Sequence, residues 1–118
     1  MATARRDDSF AVFVLDQLDG VSEVRSRAMF GDWGLYAGET FFGLIFKGRL
    51  YFKTDATSVA RYRQRGMRAF KPNPRQRLTT YYEVPAEVLE DRETLLAWAD
   101  EALRAAHAAR RRSPRPTT

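Results

Sequence analysis

The chain has 118 residues, 44% of them hydrophobic, no cysteine and a net charge of +5. That length buries roughly two-thirds of the unfolded chain's surface in a single core, and the absence of cysteine excludes disulfides, thiolate catalysis and cysteine-ligated metal. The longest apolar run, Phe41 to Phe46, falls far short of the roughly 20 residues a membrane helix needs, and residues 1–9 lack the apolar centre of a leader peptide, so a cytoplasmic protein with no membrane partner is expected.

The first element is a helix in "DDSFAVFVLDQLDG", with Phe10, Phe13, Val14 and Leu18 on one side and Gly20 as its stop. "SEVRSRAMF" then alternates. Val24, Ser26, Ala28 and Phe30 point one way and Arg25 and Arg27 the other, which predicts a strand with one wet face. Turn signals at Gly31-Asp32, Gly38-Glu39 and Gly48-Arg49 separate the strands "WGLYA", "TFFGLIFK" and "LYFKT". Turns at this spacing predict an antiparallel meander, with Gly34 and Gly43 marking a bulge or close packing inside strands. "TFFGLIFK" is apolar on both faces, so it belongs at the centre, covered by helices or a partner.

"DATSVARYRQRG" predicts a second helix, capped by Asp55 and closed by Gly66. Its Val59 and Tyr62 face inward, and Arg61, Arg65 and Arg68 gather on the opposite side. "FKPNPRQR" is expected to be a loop held open by Pro72 and Pro74. "LTTYYEV" is a last strand, with Tyr81 and Tyr82 on opposite faces and Pro85 as its end. A helical turn at "PAEVLED" precedes a long helix from about Arg92 to Arg110, with Leu95, Ala99, Ala102, Leu103 and Ala106 as its buried stripe and Trp98 at the edge. The expectation is one α+β domain over residues 1–112, a four-strand meander plus one strand with helices packed on it, and a disordered tail at 113–118. Phe10, Phe13, Leu44, Phe46, Leu95 and Leu103 should share one core under the sheet.

These blocks resemble the N-terminal domain of the TfoX/Sxy family. The residues that carry the resemblance are Met29–Gly31, Gly34–Tyr36, Phe42–Ile45, Leu50–Lys53, Tyr81–Pro85 and Trp98-Ala99, in the family's order. Asp32 stands where the family often has a second glycine. The resemblance implies a secretion-chaperone-like α+β fold and kinship with regulators of natural competence. Those regulators usually add a C-terminal helical domain, and this chain is expected to stand without one. The family's N-terminal domain brings no catalytic, metal or cofactor residues with it, so none is assigned.

The charge is segregated along the chain. Residues 47–77 hold ten Lys or Arg against Asp55 alone, while 1–46 and 78–109 are net acidic. Arg61, Arg65, Arg68, Lys71, Arg75 and Arg77 are therefore the candidate contacts, to nucleic acid or to an acidic partner surface. The bland alternative is a solvated face, in a chain where arginine outnumbers lysine seventeen to three. The single histidine, His107, reads as a solvated helical residue, and the carboxylates of "EVLEDRE" read as helix caps. Phe41, Phe42, Phe46, Tyr51 and Phe52 could stack bases as aromatic sheets do, but alternating aromatics beside Leu44, Ile45 and Leu50 are what a buried sheet requires. Two functions follow: a non-enzymatic regulatory adaptor that binds another protein, with transcription regulation as its expected setting, or a nucleic-acid-binding module using residues 47–77. The oligomeric state, a homodimer included, is left open.

Overall fold

The computed structural model describes residues 8–73 and 76–112. In chain order the elements are α1 (Ser9–Gln17), β1 (Val24–Met29), β2 (Asp32–Ala37), β3 (Thr40–Phe46), β4 (Arg49–Lys53), α2 (Val59–Gln64), β5 (Ala69–Asn73), β6 (Gln76–Glu83), α3 (Ala86–Leu89) and α4 (Arg92–Arg112). The six strands form one antiparallel sheet in the order β1-β2-β3-β4-β6-β5. No helix among the described residues is long and apolar enough to cross a membrane.

Two hairpin turns sit one residue earlier than the glycine positions suggest. Met29 pairs with Asp32 and Phe46 with Arg49, so the turn centres are Phe30-Gly31 and Lys47-Gly48. Both residues of each centre have positive φ, 54° and 76° in the first and 51° and 74° in the second. A type I′ hairpin turn, whose twist matches its strands, needs that geometry at both positions. Glycine takes the second place, and Phe30 and Lys47 accept the strain.

The pairing of β2 with β3 shifts between Leu35 and Tyr36, which leaves Phe42 without a partner on β2. Next to it, a Cβ at Gly43 would stand 2.7 Å from the backbone oxygen of Tyr51, so only glycine lets β4 come this close. The bulge also sorts the side chains of β3. Phe42 and Ile45 face the helices, and Phe41, Leu44 and Phe46 face away from them.

The core is thus divided by the sheet, contrary to the single core expected. On the helix side, Leu35, Phe42, Leu50, Phe52 and Tyr82 pack with Val14, Leu18, Tyr62, Leu95, Trp98 and Ala99, with Phe10 and Leu103 at its margin. Trp98 is buried here and not at the edge of its helix. On the far side, Leu44, Phe70 and Tyr81 form a second cluster with Phe41, Phe46 and Tyr51. Phe13 belongs to neither and is exposed. The reason is that α1 carries apolar residues on more than one side, with Ser9 and Asp16 its exposed polar ones. Ala11, Val14 and Leu18 fix its buried face, and the sequence offers Phe13 as an equal competitor.

The segment expected to be an open loop is a strand. β5 lies at the edge of the sheet, where one side has no ladder to maintain and a proline is tolerated. Its hairpin with β6 turns back across the helix-free face. Phe70 shows this: β5 is at the opposite edge from β1 and β2, yet its ring lies 5.6 Å from Phe30, in the turn that joins them. Phe46 and Tyr51 complete the contact at 5.2 and 4.9 Å. The sixth strand is the difference from the expected architecture. The α+β class and the helices on an antiparallel sheet agree with it.

Candidate interaction surface

The arginines of α2 are positioned by the capped turn that starts it. Asp55 Oδ1 accepts from the backbone N–H of Thr57 and Ser58 at 3.0 and 2.8 Å, and the Asp55 N–H donates to Ser58 Oγ at 3.1 Å. Asp55 is therefore the cap the sequence suggests, and Gly66, at φ 76°, closes the other end. This phase turns Tyr62 into the core, 4.8 Å from the Trp98 ring in an edge-on contact. Burial, and then the charge of Glu101, push the Tyr62 phenol well above its ordinary value, so it is neutral at physiological pH.

Arg61 and Arg65 reach from α2 to carboxylates on α4 and α3. Arg61 is paired with Glu101, and its guanidinium lies 4.9 Å from the Trp98 ring. Arg65 donates to Glu87 at 3.0 Å and reaches the same ring at 5.4 Å. Arg63 donates from Nε to the Tyr82 hydroxyl at 3.2 Å. Arg65 and Arg68 are exposed as expected, while Arg61 is turned against α4 and helps fasten α2 to it. Arg61 in particular is half-buried. The cleft beside it, about 650 Å³, is balanced in charge, because Asp55 and Glu101 in its lining face Arg61 and Arg104.

The other basic candidates lie elsewhere. Arg68 and Lys71 line a separate groove of about 600 Å³ with Arg49, Tyr51, Met67 and Glu83. Arg49 is bound there to both oxygens of Glu83 at 3.1 and 3.0 Å. Arg68 and Lys71 are exposed and make no ion pair among the described residues. Arg77 is on β6, and Arg75 lies outside the described residues, as does the tail at 113–118. The run that is continuous in sequence is thus divided between two places in the fold.

The aromatics divide as the strand pleat requires. Phe42 and Phe52 are core under the helices. Phe41, Phe46 and Tyr51 are half-buried on the far side, in contact with the rings of Tyr36, Tyr81 and Phe70. Tyr81 and Tyr82 do point to opposite faces, and both are buried. His107 is exposed on α4, in a groove with Glu23 and Asp100. Among the described residues no three His, Cys, Asp or Glu side chains gather where a metal could be held.

The surface that the residue pattern did not single out is apolar. Val12 is 65% exposed and Phe13 40%, on a helix with Asp8 and Asp16 beside them and no basic residue of its own. The available signal was the apolar run Phe10–Leu15 in α1, longer than one buried face of a globular helix requires.

An antiparallel sheet with helices packed on one face makes this an α+β domain. The TfoX N-terminal domain family matches residues 16–106, and the chain belongs to that family. It is a family of regulatory type that is not known for catalysis. No curated protein matches the chain.

Proposed function

We propose that this domain is a non-enzymatic regulatory adaptor that acts by protein–protein contact in the cytoplasm, within the transcription control to which its family is kin. The observation that carries this reading is the exposed apolar face of α1, where Val12 and Phe13 stand beside Asp8 and Asp16. An apolar patch rimmed by acids repels a polyanion and suits a protein surface with an apolar centre and basic flanks. The part-buried pairing of Arg61 with Glu101 points the same way, because it occupies one of the six cations on which a nucleic-acid function would depend. Affinity capture from native lysate, with and without nuclease, tests the reading. Protein partners retained after nuclease treatment support it, and partners that all vanish with the nucleic acid contradict it.

A further inference from the structure

We propose that the free edge of β1 is a docking site for an extended partner segment that alternates acidic and apolar residues. The inference rests on the adaptor reading and names the chemistry of one partner. β1 is an outer strand of the sheet, pairs with β2 over all six of its residues without interruption, and contains no proline. Alternate residues of an antiparallel strand turn both backbone groups toward the neighbour, and the residues between turn theirs outward. The two-residue turn makes Met29–Asp32 a bonded pair, and the Glu23 oxygen accepts from the Gly38 N–H at 3.0 Å, in the same phase. Val24, Ser26 and Ala28 therefore present their N–H and C=O groups outward. No partner meets these groups among the described residues.

The two faces of this edge specify what can be added to it. On one face stand Arg25 and Arg27. Arg25 shares an exposed contact with Glu39 at 3.3 Å, and Arg27 lies over the Tyr36 ring at 5.1 Å with no carboxylate among the described residues. On the other face, Ser26 and Ala28 are small and incompletely covered, beside Val24 at the margin of the helix-side core. A docked strand places acids opposite the arginines and apolar side chains beside Ser26 and Ala28. A second copy of this chain is a poor occupant. The antiparallel register that uses all three outward residues sets Arg25 against Arg27 of the other copy, twice, and like charges directly opposite destabilise a strand pair. The same arginines protect the bare edge from self-association.

The probe is a short blocked peptide alternating Val and Glu, titrated into the full chain, with amide hydrogen exchange read residue by residue. The proposal expects the amides of Val24, Ser26 and Ala28 to exchange freely without peptide and slowly with it. It expects R25E/R27E to weaken the peptide about tenfold and to accept a Val/Lys peptide in its place. Ser26→Pro, whose lost N–H faces outward and leaves the β2 ladder whole, should abolish binding without lowering the melting temperature. Peptide binding that leaves those three amides unprotected, no binding at all, or affinity indifferent to R25E/R27E overturns the proposal. If Ser26→Pro keeps every nuclease-resistant protein partner, the edge is not the docking site and the adaptor reading stands. If the wild-type chain holds no such partner, it is the adaptor reading that fails.

Discussion

Replacing Arg61 by Glu separates a structural arginine from a solvated one. The wild-type side chain is 38% exposed and its partner Glu101 33%, so the pair is intermediate between a surface contact, worth about 0.2–1 kcal/mol, and a buried one, whose breakage costs about 3–5 kcal/mol. The guanidinium also lies on the ring of the buried Trp98, a contact worth about 0.5–1 kcal/mol at partly exposed sites. Losing both, and setting two carboxylates against each other, should cost about 2–3 kcal/mol. A solvated arginine would change stability by less than about 0.5 kcal/mol. Urea unfolding at neutral pH measures the difference, and an unchanged slope with denaturant shows that the shift is in stability itself. Combining R61E with E101R should recover at least half of the loss, since the pair is restored in reverse. An R61E protein within about 0.5 kcal/mol of wild type would refute that fastening role and return Arg61 to the surface.

Leu44→Ala, at a position only 1% exposed between Phe70 and Tyr81, should cost about 2–5 kcal/mol, and a loss below about 1 kcal/mol would mean that the second cluster is not packed. Burial holds the phenols of Tyr62 and Tyr81 above 10.0, their ordinary value, so the folded state keeps those protons more tightly than the unfolded chain. Their contribution is complete below pH 10 and is lost as the pH rises above it. Urea stability should therefore fall steeply there, and less steeply in Tyr62→Phe; an identical profile in the two proteins would contradict the burial of the phenol. Duplex DNA should bind weakly. With Arg61 and Arg65 held in ion pairs, four of the six candidates remain, so log K should fall with log salt by no more than about 4, at roughly 0.9 per contact. A steeper slope, or a tight sequence-specific complex, would restore the nucleic-acid function.

Most of the secondary structure was legible because local rules govern it. Positive-φ turn positions favour glycine, and each hairpin turn has one, the pleat of β1 alternates arginine with small residues, and Asp55 caps where an Asp before a helix should. What escaped depended on non-local placement. Pro72 reads as a loop residue until the sheet order puts β5 at an edge. Leu44 and Ile45 are adjacent and equally apolar, and only the bulge and pairing of β3 assign them to opposite sides. The basic run was visible as charge. Its neutralisation was not, because Glu87 and Glu101 lie 22 and 40 residues from the arginines they bind. The apolar face of α1 was present in the composition of the helix and was absorbed into an expected core, since period alone does not say which of several apolar stripes is covered.

The most direct test of the adaptor reading joins partner capture to that face. Val12→Asp with Phe13→Asp changes two exposed side chains and should leave the melting temperature within a few degrees of wild type. The account predicts that the wild-type domain retains a protein partner from nuclease-treated lysate, and that the double variant, folded and at the same concentration, loses it. Retention of the same partner by the folded double variant would contradict the role assigned to α1.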